Sequence, residues 1–193
     1  MKKLYIIANW KSNKTVKEAF AWLSSIQGAG LKIENINKEV IICPSFTILS
    51  EIGIRIKNQE LGIKIGAQNV SQHDEGAYTG EVSARQVKEL SEYVLVGHSE
   101  RRDNFSETND VVDRKIEQAF KHGLVPVICI STIEQVKNIK SKITGKSIIA
   151  YEPLFAIGSG NPDTPENANR MCQEIKNILG EIPVLYGGSV SKD

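Results

Sequence analysis

The stretch from Val94 to Ile130, VLVGHSERRDNFSETNDVVDRKIEQAFKHGLVPVICI, contains one complete repeat of the fold. It starts with a short apolar run at Val94–Val96 and ends with another at Val125–Ile130. Between them, residues from about Asn109 to His122 have helical periodicity and are followed by Gly123, a residue type that ends many helices. This order predicts two parallel strands, each buried on both faces, joined by a crossover helix.

The same alternation continues along the whole chain and predicts its fold class. Strand starts recur roughly 30 residues apart, which is the length of one strand-crossover-strand unit. Eight such units need about 240 residues, close to the ~250 typical of a closed eight-stranded barrel. The 193 residues favour one α/β domain, residues 1–193, with parallel strands and an incomplete barrel. The seven predicted strands are Leu4–Ala8, Val40–Cys43, Ile63–Ala67, Val94–Val96, Val125–Ile130, Ile148–Tyr151 and Pro183–Tyr186.

Helix starts are marked by local sequence signals. Two capping boxes and one N-cap before proline predict where three helices begin. Glycine after the last helical stretch predicts where that helix ends. These signals are Thr15 with Glu18, Ser83 with Gln86, Thr164 with Pro165, and Gly180.

Composition and charge exclude several functions. The chain has 24 Lys and Arg against 23 Asp and Glu, a net charge of +1, so it lacks the basic field that binds nucleic acid or an anionic membrane surface. Its hydrophobic content of 40% and charged content of 24% are ordinary for a soluble globular protein. We therefore expect neither a nucleic-acid partner nor a membrane partner.

The N-terminus and the cysteines predict a cytoplasmic location. The apolar run at Leu4–Ala8 is too short for a signal peptide and for a membrane span. Cys43, Cys129 and Cys172 are far apart and form no C-x-x-C pair, so they indicate buried reduced thiols instead of a disulfide framework or a zinc site.

Polar side chains follow five of the predicted strands. In a parallel barrel the carboxyl ends of the strands form the active face, so these groups are expected around one opening. Taken singly, His98 could be a neutral core histidine, Glu152 could pair with an arginine, and Lys11 could be a solvated charge. Together they predict a site. The segments are Asn9-Trp10-Lys11, Gln68-Asn69, Gly97–Arg102, Tyr151-Glu152-Pro153 and Tyr186–Val190.

Four of these motifs, in order, resemble the triosephosphate isomerase family. The resemblance extends from position 5 to position 190. It implies a TIM-barrel-type α/β fold, of which seven β/α units can be read from the apolar runs, with no cofactor and no metal. The matching motifs are Asn9-Trp10-Lys11, Gly97-His98-Ser99-Glu100-Arg101-Arg102, the run from Ala150 to Gly160, and Tyr186-Gly187-Gly188-Ser189-Val190.

The resemblance implies interconversion of dihydroxyacetone phosphate and glyceraldehyde 3-phosphate through an enediolate. Glu152 is then the general base, and a neutral His98 polarises the carbonyl oxygens. Lys11 places a positive charge beside the phosphate and the oxyanion, to which Asn9 donates a hydrogen bond. Glu100 orients Lys11 and Ser99.

The resemblance also implies a closing lid and a phosphate site. Lid closure excludes water from the reactive intermediate. The phosphate is expected to contact Gly158, Ser189, Lys11 and Asn9. The lid residues are Pro153, Leu154, Phe155, Ala156, Ile157, Gly158, Ser159 and Gly160.

The polar segment from Ser71 to Glu81 is expected to form a dimer contact. It is long for a loop without helical periodicity, and such loops in compact domains usually have a function. In the family, the matching loop reaches into the neighbouring subunit. The resemblance therefore implies a homodimer with contact residues Thr79, Gly80 and Glu81, and the alternative is a flexible solvent loop.

Two observations keep other functions open. After Ser189 the family continues to an eighth strand whose backbone amides bind phosphate, so weakened phosphate binding is expected, and a catalytically inactive barrel fragment or phosphate-ligand binder is the alternative. A metal-dependent phosphosugar epimerase is a third hypothesis. It is disfavoured because the strand ends show no cluster of His, Asp and Glu with metal-ligand spacing.

Overall fold

The structure, a computed structural model, describes residues 3–29, 37–157 and 160–189. Seven parallel strands formed by these residues lie side by side in the order of the sequence and curve into a nearly closed barrel. This confirms the predicted fold class. The strands, β1 to β7, are Leu4–Asn9, Lys38–Cys43, Lys64–Ala67, Tyr93–Val96, Val125–Ile130, Ile148–Tyr151 and Val184–Tyr186.

The strand register aligns the carboxyl ends on one side of the barrel. Asn9 at the end of β1 lies beside Cys43 at the end of β2, and Tyr151 of β6 lies beside Tyr186 of β7. Within the described part of the chain, β1 and β7 each have one neighbouring strand. Residues that follow the strands are therefore brought to one rim.

In the described ranges, seven α-helices connect the strands. The capping boxes at Thr15 and Ser83 form with both hydrogen bonds, and Thr164 caps its helix ahead of Pro165 as predicted. The last helix ends before Gly180, whose φ is +84°. The helices, α1 to α7, are Val16–Gly28, Phe46–Asn58, Ala84–Leu90, Ser99–Phe105, Asn109–Lys121, Ile133–Ile139 and Pro165–Leu179, and a 3₁₀ turn at Lys140–Lys142 follows α6.

Apolar side chains pack on both faces of the sheet. One buried cluster lies between the strands and the helices, and a second faces the barrel interior. The strands therefore need apolar residues at consecutive positions, which is why they appear as uninterrupted apolar runs in the sequence. The interior cluster consists of Ile41, Cys43, Tyr93, Leu95, Val127, Cys129, Ile148 and Ala150.

Among the described residues, no helix is both long and apolar enough to cross a membrane.

Burial of Cys43 predicts a loss of stability at alkaline pH. Burial raises the pKa of its thiol from 9.0 to about 12. The unfolded chain therefore loses this proton at lower pH than the folded protein does. Stability from this group is complete below pH 9 and is lost as pH rises towards 12, by up to roughly 1.4 kcal/mol per pH unit.

Urea unfolding between pH 8 and 10.5 tests this expectation. The Cys43→Ala variant is expected to have a shallower decline in unfolding free energy than the wild type. Val127→Ala, a core truncation without a titratable group, controls for packing and should shift the curve equally at every pH. Parallel curves for Cys43→Ala and the wild type would contradict the assignment.

Candidate active site

A cavity of about 670 Å³ extends from the barrel interior, where Tyr5, Leu95 and Val127 line it, to the carboxyl ends of the strands. Asn9 and Lys11 line it from the end of β1, and His98 from the end of β4. Glu152 follows β6, and Ser189 lies just beyond β7. The structure thus brings together the charged and polar residues that the sequence placed at separate strand ends.

Glu152 is a buried carboxylate on the wall of this cavity. Its side chain is 7% exposed. One oxygen, Oε1, lies 3.5 Å from His98 Nε2, and the other accepts a hydrogen bond of 3.3 Å from the backbone N–H of Ser99. A Cβ atom at Gly187 would approach Glu152 Cγ to 3.0 Å, so the absence of a side chain there leaves room for the carboxylate.

His98 occupies the N-cap position of α4. Its Nδ1 accepts a 3.2 Å hydrogen bond from the backbone N–H of Glu100. Because an accepting nitrogen carries no proton, the proton of the neutral imidazole is on Nε2. This Nε2 is the atom that faces Glu152, so the ring can donate a hydrogen bond into the cavity.

Lys11 has a left-handed backbone, with φ of +54°. This conformation costs a lysine on the order of 1 kcal/mol or more. The backbone N–H of Lys11 donates to Asn9 Oδ1 at 2.9 Å, and its Nζ lies 2.5 Å from Glu100 Oε1. Asn9 and Glu100 therefore hold the two ends of this residue, and the Asn9 Nδ2 donors have no partner among the described residues and are open to a ligand.

Ser99 does not have the predicted partner. The resemblance predicts that Glu100 orients Ser99, whereas the Ser99 hydroxyl is buried without a hydrogen-bond partner among the described residues. Ser99 instead contributes its backbone N–H to Glu152. The reason is the helical turn of α4, which places Ser99 towards β6 and leaves Glu100 beside Lys11 and His98.

The pKa values of Cys129, which lines the cavity, and of the partly buried Arg102 are shifted by their surroundings. Burial, together with the charge of Glu152, raises the pKa of the Cys129 thiol well above its ordinary value. Burial lowers the pKa of Arg102, whose Nε donates to the carbonyl of Gly97 at 2.9 Å. Cys129 therefore stays a neutral thiol beside the carboxylate.

Part of the predicted lid is described. Leu154 and Phe155 are 55% and 63% exposed, and Ala156 is buried. The Ser189 hydroxyl donates to the Ala156 carbonyl at 2.5 Å, which connects the lid segment to the end of β7. Pro153, Ile157 and Gly160 continue this segment, whereas the predicted site residues Gly158 and Ser159 lie outside the described residues.

The predicted dimer residues lie at the surface. Thr79, Gly80 and Glu81 are exposed, and they belong to a loop whose His73 and Tyr78 rings are stacked at 4.0 Å. Beside this loop is a cavity of about 440 Å³, lined by Tyr78, Thr79 and Glu81 among others.

Sequence reasoning missed a buried ionic cluster next to this loop. Glu107 contacts both Arg101 and Lys115, and Lys115 Nζ also donates to Asn69 Oδ1 at 2.7 Å. Burial lowers the pKa of Lys115. One available signal was Lys115, a charged residue at an apolar position of the α5 periodicity.

Chemically, the cavity combines a carboxylate that can accept a proton with an N–H donor and an ammonium that can stabilise an oxyanion. In residues 3–29, 37–157 and 160–189, no group of three or more His, Cys, Asp and Glu side chains could hold a metal ion.

Comparison with known proteins finds a matching family and similar sequences along nearly the whole chain. The family model described as triosephosphate isomerase matches residues 4–193. The triosephosphate isomerase of Dehalococcoides mccartyi is 39% identical over 216 residues, covering 100% of this chain and 84% of the relative. That of Mycoplasmopsis pulmonis is 40% identical, covering 99% of this chain and 85% of the relative. That of Dictyoglomus thermophilum is 37% identical, covering 99% and 86%. The chain belongs to the triosephosphate isomerase family.

Proposed function

We propose that the protein interconverts dihydroxyacetone phosphate and glyceraldehyde 3-phosphate. The observation that carries this proposal is the 3.5 Å approach of Glu152 Oε1 to His98 Nε2 in the cavity that Lys11 also lines. The named activity of the relatives agrees with it.

The geometry supports proton transfer between adjacent carbons. The Glu152 carboxylate takes a proton from the carbon next to the carbonyl, while the Nε2–H of His98 donates a hydrogen bond to the carbonyl oxygen. The electron pair of the broken C–H bond forms the carbon-carbon double bond of an enediolate. The hydroxyl proton of the enediolate passes to the former carbonyl oxygen, and Glu152 returns the proton it holds to the neighbouring carbon. The carbonyl group and the hydroxyl group have then exchanged places, and the isomerisation is complete without a net change in oxidation state.

Lys11 and Asn9 bind the negatively charged groups of the substrate. The Lys11 ammonium lies on the same cavity as the base, where it can neutralise the phosphate and the developing oxyanion. Asn9 Nδ2 can donate to the same oxygen, since its Oδ1 is already bonded to the Lys11 N–H. Glu100 keeps the ammonium in place.

The segment from Pro153 to Gly160 acts as the lid in this proposal. The exposed Leu154 and Phe155 side chains give it an apolar surface that closure can bury. When the lid moves, the Ser189 hydroxyl exchanges the Ala156 carbonyl for a phosphate oxygen, and Gly158 offers its backbone N–H. Closure then excludes water from the enediolate.

The proposal includes a homodimer of single-domain chains in the cytoplasm. The exposed loop with Thr79, Gly80 and Glu81 adjoins a cavity lined by Glu107, whose buried Oε2 has no hydrogen-bond partner within the described parts of the chain. Phe105 beside it is 65% exposed. An exposed aromatic ring next to an unsatisfied buried acceptor is typical of a surface that a partner covers. The unpaired cysteines agree with a reducing compartment.

A coupled assay on the purified protein tests the activity. Substrate-dependent conversion of glyceraldehyde 3-phosphate to dihydroxyacetone phosphate is expected without an added metal or cofactor. No conversion above a Glu152→Gln preparation would refute the proposed function.

Substitution in the exposed loop tests the dimer. Thr79→Arg is expected to weaken self-association by at least about 30-fold, which corresponds to roughly 2 kcal/mol at an interface centre. Sedimentation velocity over a concentration series measures this change, and Thr144→Arg, at an exposed position in a different loop, is the matched control. A wild type that sediments as an active monomer at all concentrations would contradict the assignment.

A further inference from the structure

The side chain of Gln68 connects the carboxyl ends of three strands next to Lys11. It follows β3, and its side-chain Nε2 donates to the carbonyl of Lys11 at 2.9 Å and to the carbonyl of Cys43 at 2.8 Å. The Cys43 carbonyl also accepts the backbone N–H of Trp10 at 3.0 Å. The carboxyl ends of β1, β2 and β3 therefore meet at one amide group.

The backbone conformation of Lys11 needs stabilising contacts from other residues. With φ at +54°, its backbone is in the left-handed region, which a residue with a side chain rarely adopts. Asn9 fixes the N–H side of the residue and Gln68 fixes the carbonyl side. The direction of the Lys11 side chain depends on both contacts, since it leaves the backbone between them.

The chemistry of the contact requires a primary amide. Both N–H donors of Nε2 are used, one on each carbonyl, and the group carries no charge. A glutamate at this position would present an oxygen to each carbonyl, and a methionine would present no donor. An asparagine has the donors but is one methylene shorter.

We propose that Gln68 is a positioning residue for Lys11, which it holds in the left-handed conformation so that the ammonium stands beside Glu100 at the cavity. The proposal rests on the proposed function only in that Lys11 binds the substrate. What Gln68 does to the Lys11 backbone can be measured without turnover.

Substitution of the amide is the first test. Gln68→Met, similar in length, is expected to lower kcat/KM on the order of 10-fold to 100-fold, the scale of a misplaced binding group. Because Lys11 faces the phosphate, KM and the inhibition constant of inorganic phosphate should rise together. Gln68→Glu should lower kcat/KM further, because its carboxylate presents an oxygen to each carbonyl. Gln173→Met, at an exposed position of α7, is the matched control and should change neither constant.

Combination with Lys11→Met separates positioning from general stability. If Gln68 acts through Lys11, adding Gln68→Met to Lys11→Met should cost less than about 2-fold in kcat/KM, because the positioned group is already gone. A repeat of the full 10-fold to 100-fold loss in that background would overturn the proposal, since a purely structural effect does not require the ammonium.

Backbone NMR of Lys11 gives the result that does not depend on activity. The Cα shift and the HN–Hα coupling of Lys11 are expected to leave their left-handed values in Gln68→Met and to keep them in Gln173→Met. If Gln68→Met does not fold, Gln68→Asn takes its place. Unchanged Lys11 signals would overturn the proposal, whereas an inactive wild type with shifted Lys11 signals would refute only the proposed function.

Discussion

Glu152→Gln is expected to lower kcat by roughly 10³-fold, within the range attributed to a positioned general base. The amide has nearly the same shape as the carboxylate but cannot accept the proton from carbon. The substrate should still bind, because Lys11, Asn9 and Ser189 are unchanged, so KM should vary by less than about 3-fold. Steady-state kinetics in both reaction directions measures the two constants.

The control for this variant is Glu89→Gln, at an exposed position of α3. It removes a carboxylate of the same type far from the cavity and should leave kcat unchanged. Retention of more than a tenth of the wild-type kcat by Glu152→Gln would mean that another group takes the proton.

Lys11→Met is expected to lower kcat/KM by about 10³-fold or more. The substitution removes the cation from the cavity and leaves Glu100, a former partner at 2.5 Å, facing the substrate phosphate with its negative charge. A single donor to a developing oxyanion accounts for about 10²-fold to 10³-fold, and the lost phosphate contact adds to this. Unlike Glu152→Gln, this variant should raise KM as well as lower kcat.

Added inorganic phosphate distinguishes the contact of Lys11 with the phosphate from its effect on the oxyanion. Inorganic phosphate should inhibit the wild type and should inhibit Lys11→Met far less. Lys17→Met, on the exposed side of α1, is the control for loss of one positive charge. Equal phosphate inhibition of Lys11→Met and the wild type would place the phosphate elsewhere.

Much of the fold follows from local sequence. Capping side chains at Thr15, Ser83 and Thr164 act within three residues of their targets, so their hydrogen bonds could be predicted from spacing alone. Every predicted strand agrees with an observed strand within two residues at each end, because strands buried on both faces require apolar runs. The convergence of Lys11 and Glu152 followed from the parallel order.

Other features depend on contacts that are distant in sequence. The start of α4 is difficult to predict from the sequence, because it lies within a motif that resembles a strand end. Its N-cap residue is His98, which accepts with a ring nitrogen, whereas the usual N-cap residues carry a hydroxyl or a carboxylate. The side-chain amide of Gln68 donates to Lys11, a residue that is 57 positions away in the sequence. No local spacing indicates such a contact.

The opposite end of the barrel shows the same limitation. Tyr93 at the start of β4 donates to the buried Glu39 of β2, which also pairs with Lys3. Burial raises the pKa of Tyr93 to about 12. Only the strand register brings these three residues together, so their pairing could not be inferred from composition or periodicity.

Solvent deuterium exchange tests most directly whether Glu152 moves a proton between adjacent carbons. Incubation with dihydroxyacetone phosphate in D₂O, followed by NMR, is expected to show one deuterium on the hydroxymethyl carbon next to the carbonyl, at a rate that falls roughly 10³-fold in Glu152→Gln. Conversion of the substrate with no deuterium from solvent in substrate or product, or exchange unaffected by Glu152→Gln, would contradict the account.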